Sequence, residues 1–72
     1  MTSNEQMTAE YYDSAAPDKL IGAVYIPAAT ATASAQQIGR AILKTLGGNC
    51  LTAVLLDGNG ERVDELPVFR KR

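Results

Sequence analysis

Two stretches of the chain are apolar at nearly every position, Leu20 to Ile26 and Leu51 to Leu56. A strand that is apolar on both faces is typical of a sheet that is covered on both sides. The pattern therefore predicts two strands, over residues 19–26 and 50–56, each of which needs a covering layer on both faces.

Only one segment, Ser34 to Leu46, has the three-and-four spacing of apolar residues that is typical of an amphipathic helix. Ser34 is predicted to cap its N-terminus, and Gly47 to end it in the left-handed conformation. The predicted apolar stripe is Ala35, Ile38, Ala41, Ile42 and Leu46. One helix covers only one sheet face, so the other face is left for a partner, a second copy of the chain or the N-terminal arm.

The segment Asp57 to Gly60 predicts a hairpin turn, since its glycines and Asn59 readily adopt positive φ. A third strand over 61–66 would follow, and Pro67 places it at a sheet edge. Residues 1–18 show no apolar period and are predicted to be a flexible arm. Together these elements predict an α+β fold of β-α-β-β order over 19–72, with one helix on a three-stranded mixed sheet whose first two strands are parallel.

Within the first predicted strand, alternation puts Val24 and Ile26 on one face and Ile21 and Tyr25 on the other. The bulkier pair is expected to face the helix. Ile21 and Tyr25 are then expected to line the uncovered face and to carry self-association, so the sequence predicts a homodimer.

Composition argues against an enzyme, because the 72 residues include no histidine and one cysteine, Cys50. Without imidazole there is no ordinary general base near neutral pH and no Cys/His set for zinc. The glycines follow no phosphate-loop spacing. We expect a non-enzymatic protein with no cofactor and no metal. With no apolar stretch of membrane-spanning length and no basic leader, a cytoplasmic location is expected.

The formal net charge of −1 conceals blocks of opposite sign, which suit a charged partner. We predict a protein partner that is bound through charged residues of the hairpin and the helix, namely Asp57, Glu61, Asp64, Glu65, Arg40 and Lys44. The end of the chain, Arg70-Lys71-Arg72, is also basic. Direct nucleic-acid binding is less favoured, because only three bases stand together and no aromatic residue is interleaved with them.

A short chain with one helix, a small sheet, no catalytic residues and blocks of opposite charge resembles the phage-encoded anti-CRISPR inhibitors in size and layout, over residues 19–69. The resemblance implies a protein that binds a CRISPR effector complex in the host cytoplasm and obstructs DNA access or nuclease recruitment. Two other functions fit the same pattern: a nucleic-acid-binding or antitoxin-like regulator that uses the basic tail, and a structural subunit of an oligomer.

Overall fold

The computed structural model describes residues 5–70 and contains one four-stranded antiparallel sheet. Its strands lie in the order β2-β1-β3-β4. Their bounds are β1, Gln6–Asp13; β2, Ala16–Pro27; β3, Cys50–Leu56; and β4, Arg62–Phe69. The predicted α+β class is therefore right, but the predicted three-stranded mixed sheet is wrong.

The additional strand, β1, comes from the segment that the sequence analysis assigned to a flexible arm. Met7, Ala9 and Tyr11 alternate with polar residues, and Ala9 and Tyr11 are fully buried. Alanine and tyrosine give a weak hydrophobic signal, so this period of two does not by itself predict a strand. Residues 1–4 of the predicted arm lie outside the described residues.

Insertion of β1 also changes how β2 and β3, the two strands that are apolar at nearly every position, are related. Both β2 and β3 pair with β1 in antiparallel fashion, so they run in the same direction with β1 between them. The expected shared direction is correct. Direct parallel pairing is wrong, because β1 supplies the hydrogen bonds to both strands.

The helix, α1, spans Ala31–Leu46 and follows a short 3₁₀ turn at Ala28–Thr30. It begins one turn earlier than predicted, and Ser34 is not its cap: the hydroxyls of Ser34 and Thr30 share a hydrogen bond of 3.1 Å. Its end is confirmed, since Gly47 has a φ of 77° and donates its N–H to the carbonyl oxygen of Leu43. Glycine adopts this conformation at little steric cost.

The helix face that meets the sheet is lined mainly by small residues. Its buried positions are Ala31, Ala35, Gly39 and Leu43. Ile38 and Ile42 are only partly buried at the margin of the core, and Leu46 is 59% exposed. The predicted stripe is thus rotated about the helix axis, because the ring of Tyr11 and the side chain of Val68 occupy the space beneath Gly39.

The hairpin between β3 and β4 is confirmed, and β3 has the predicted bounds. The Asp57 carboxylate holds the turn by accepting hydrogen bonds from the backbone N–H groups of Asn59 and Glu61, both at 2.9 Å. Strand β4 continues past Pro67 to Phe69. Proline is tolerated there because β4 is an edge strand.

Candidate functional site on the uncovered sheet face

The helix covers only the sheet face that carries Ala9, Tyr11 and Ile26. Side chains alternate along each strand, so the pairing register assigns the other residues to the opposite face. We call this the open face. Its residues are Gln6, Thr8, Glu10, Tyr12, Leu20, Ala23, Tyr25, Pro27, Cys50, Thr52, Val54, Leu56, Arg62, Glu65, Pro67 and Phe69.

Large apolar side chains lie exposed along both margins of the open face. On β2, Leu20 is 52% exposed and Tyr25 is 76% exposed; on β4, Phe69 is 63% exposed. Single exposed apolar residues are ordinary, but several on one uncovered face mark a candidate contact surface.

The centre of the open face is polar above a buried floor. Val54 is almost fully buried, and its cross-strand neighbours are Glu10 and Glu65. The Tyr12 hydroxyl donates a 2.9 Å hydrogen bond to the Glu10 carboxylate. This bond, with a smaller effect of desolvation, raises the pKa of the Tyr12 phenol. Arg62 lies 3.3 Å from the Glu65 carboxylate, so the face carries two acidic groups and one basic group.

The predicted self-association pair is divided between the two faces. Tyr25 lies on the open face as expected. Ile21 does not, because the register shifts where Tyr11 pairs with Gly22 and Tyr12 pairs with Leu20. This β-bulge leaves Ile21 opposite no residue and breaks the strict alternation of the strand. Ile21 instead packs against the core beside Ile38 and Ile42.

The four predicted acidic hairpin residues do not form one cluster. Asp57 holds the turn, and Glu61 is exposed beside it. Asp64 lies opposite Leu55, on the helix side of the sheet, and accepts the N–H of Glu65 at 2.8 Å. Glu65 lies on the open face. Within the described residues, no group of three or more Asp, Glu, Cys or His side chains is placed to hold a metal ion.

The predicted basic residues Arg40 and Lys44 are exposed on α1, which lies on the far side of the sheet from the open face. Arg70 is exposed just beyond β4. Lys71 and Arg72 of the basic tail lie outside the described residues. The structure therefore places the helix pair and the open face on opposite layers.

Cys50 is half-buried at the start of β3. The Ser14 hydroxyl donates a hydrogen bond of 3.2 Å to its sulfur. The contact joins a hydroxyl to a thiol, and neither group is a base that would take up the proton of the thiol. The contact joins the β1–β2 turn to β3.

Two of the concave regions formed by the described residues lie at the hairpin end of the sheet and beside α1, away from the open face. The larger, about 500 Å³, is at the hairpin end of the sheet and is lined in part by Glu5, Met7, Asp57 and Val63. The other is a groove of about 290 Å³ between β2 and α1, and we call it the helix groove. Its lining is almost wholly apolar: Ile21, Ile38, Ala41, Ile42, Thr45 and Leu46.

No protein family, curated protein or solved structure was found to match the chain. None of the helices in the described part of the chain has the length and hydropathy required to cross a membrane.

Leu20 and Phe69 are among the residues of the open face that the sequence analysis does not single out. The signal for Phe69 is its place directly after Val68, since alternation puts it on the face opposite to Leu66 and Val68. The sequence leaves open whether Val68 and Phe69 continue the edge strand past Pro67 or fold back on the core, so it does not fix the face on which Phe69 lies. Leu20 lies on the open face because of the bulge in β2, and no pattern in the sequence predicts that bulge.

Proposed function

We propose that the protein is a non-enzymatic binding protein and that the open face is the surface that contacts its protein partner. The supporting observation is the exposure of Tyr25, Phe69 and Leu20 on a sheet face that the helix does not cover. Aromatic side chains are enriched in protein interfaces, where they bury a large area at a small cost in conformational entropy.

The charges of the open face favour a protein over a nucleic acid. Glu10 and Glu65 outnumber Arg62, and negative charge repels phosphates. The exposed bases of the helix, Arg40 and Lys44, lie on the opposite layer. A nucleic acid bound on the open face would therefore gain nothing from them, whereas a partner protein with basic groups would be attracted by the glutamates.

The specific partner in this proposal is a CRISPR effector complex, which the protein would inhibit by binding to it. Effectors of this kind hold nucleic acid in a positively charged channel. The acidic groups of the open face and of the neighbouring hairpin have the charge needed to compete for such a channel. Resemblance of size and layout and this sign of charge are the grounds for the choice of partner.

The test is binding of the immobilised chain to purified CRISPR effector complexes, and to a lysate from which other partners are identified. Phe69→Asp places a charge on the open face at an exposed position. Val63→Asp is the matched control, because Val63 is also exposed but is the unpaired bulge residue at the hairpin end. Loss of binding with Phe69→Asp alone supports the proposal. Equal binding by both variants, or no stable partner in either sample, contradicts it.

A further inference from the structure

The two edges of the sheet differ in how they are protected. The edge strand β4 carries Arg62, Asp64, Glu65 and Pro67, which are the charged and proline residues that block edge-to-edge pairing. The other edge strand, β2, has twelve residues, and its prolines and charged residues, Pro17, Asp18, Lys19 and Pro27, stand near its ends. The stretch between them, Leu20 to Ile26, contains no charge and no proline, and its one irregularity is the bulge at Ile21. Among the described residues, no strand pairs with the outer side of β2, so its outward backbone groups along this stretch are available to a further strand.

Apolar side chains flank the β2 edge on both sides of the sheet. On the helix side, the helix groove runs beside it and ends at Leu46, which is 59% exposed although it is a large apolar residue. On the open side, Leu20 and Tyr25 project from the same strand. A strand added at this edge would cover apolar surface above and below itself.

We propose that a second copy of the chain occupies this edge, with the two β2 strands paired antiparallel about a two-fold axis near Ile21 and Gly22, the midpoint of the strand. The product is a continuous eight-stranded sheet with both helices on the same side. The occupant must offer a free strand edge flanked by apolar side chains, and β2 itself has both properties. An isologous contact of this kind is self-complementary.

Charge and area are consistent with this contact. The only charged residues of β2 are Asp18 and Lys19, at one end, so antiparallel pairing sets them against the uncharged other end of the partner strand. A strand of twelve residues is ~40 Å long, and sheet and helix layers together give the edge a depth of ~20 Å. The resulting strip of ~800 Å² per chain is the size found in standard stable interfaces.

This inference goes beyond the proposed function because the helix groove and the outer edge of β2 lie outside the open face, with which the contact shares only Leu20 and Tyr25 at the margin. A chain that dimerises but binds no external partner would support this inference and contradict the proposed function. A monomer that binds a partner would do the reverse.

Sedimentation velocity over a range of concentrations tests the dimer. Leu46→Glu adds a charge at the helix groove without altering the buried core, and we expect it to weaken dimerisation at least about tenfold. Val63→Glu is the control: it adds the same charge at a similarly exposed apolar residue on the opposite edge, and dimerisation should be unchanged. Circular dichroism checks that both variants are folded.

Hydrogen exchange provides a second readout that needs no substitution. Amides of residues 20–26 that point outward should become protected as the concentration rises, whereas those of β4 should not. A chain that stays monomeric at its highest attainable concentration would overturn the inference. So would a dimer that Leu46→Glu leaves intact and Phe69→Asp dissociates, since that result places the contact on the open face.

Discussion

The phenolic oxygen of Tyr11 lies 2.6 Å from the carbonyl oxygen of Ala35, and through this buried hydrogen bond the central strand β1 holds the helix. One turn further along α1, Gly39 leaves room for the tyrosine ring: a Cβ placed there would lie 3.1 Å from Cε1 of Tyr11. The same Cβ would lie 2.8 Å from Cγ1 of Val68. The helix thus sits close to the sheet because its inner face is small.

Gly39→Ala should destabilise the protein, although the same change in an ordinary helix is stabilising by about 1 kcal/mol. The added methyl group overlaps Val68, a buried β-branched side chain that has little freedom to move, and overpacking of this kind costs about 1–3 kcal/mol. The midpoint of urea unfolding measures the effect. Gly22→Ala, measured at a concentration that keeps the chain monomeric, is the control, since a Cβ at Gly22 meets no atom of the same chain within 4 Å. A raised midpoint for Gly39→Ala would contradict the packing described.

Leu43→Ala should cost about 2–5 kcal/mol, because Leu43 is fully buried and its loss leaves a cavity. Leu46→Ala should change the free energy of unfolding by no more than about 0.5 kcal/mol when measured at a concentration that keeps the chain monomeric. The two leucines lie in adjacent turns of α1, so the comparison holds the helix propensity constant. If Leu46 proved the more costly position, the orientation of the helix would be the one that the sequence predicted.

The comparison of the predicted and observed elements shows which parts of the fold follow from local sequence. Strand β3, its hairpin and the end of α1 at Gly47 follow from residue types with strong local preferences. The inner face of α1 does not follow from local preferences, because Ala35 and Gly39 face the sheet where they contact Tyr11, a residue 24 positions or more away in the chain. The position of Ile21 depends on a register shift against β1, the segment that the sequence predicts to be a flexible arm. Long-range pairing therefore decides which side chains reach the open face.

Stability should fall at alkaline pH through Tyr11. Burial raises the pKa of its phenol above the ordinary value of 10.0. The unfolded chain therefore releases the proton at a lower pH than the folded chain does. The stabilisation is complete below pH 10.0 and is lost as the pH rises from there through the folded-state pKa.

Urea unfolding at several alkaline pH values, compared with Tyr11→Phe, tests this linkage. The phenylalanine variant lacks the hydrogen bond to Ala35, so its free energy of unfolding at neutral pH should be about 1 kcal/mol lower. Its free energy of unfolding should also decline less steeply at high pH. Parallel pH dependences for the two proteins would show that Tyr11 does not carry the effect.

Charge reversal distinguishes the two candidate partner-binding regions. Replacement of Glu61 and Glu65 by Lys should abolish binding to an effector complex while the fold is kept, because both carboxylates are exposed and Glu65 lies on the open face. Asp57 is left unchanged, since its carboxylate holds the hairpin turn. Arg40→Glu combined with Lys44→Glu is the matched reversal on α1. Binding that survives the first change and disappears with the second would move the interface to the helix.

The most direct test of the open face as the partner surface is hydroxyl-radical footprinting of the chain with and without its bound partner. Oxidation of a side chain reports its exposure, so no substitution is needed. We predict that the partner protects Tyr25, Phe69 and Leu20, while Leu46 at the helix groove and Val63 at the hairpin end react equally in both samples. Protection confined to α1, with Tyr25 and Phe69 still fully reactive, would contradict the account.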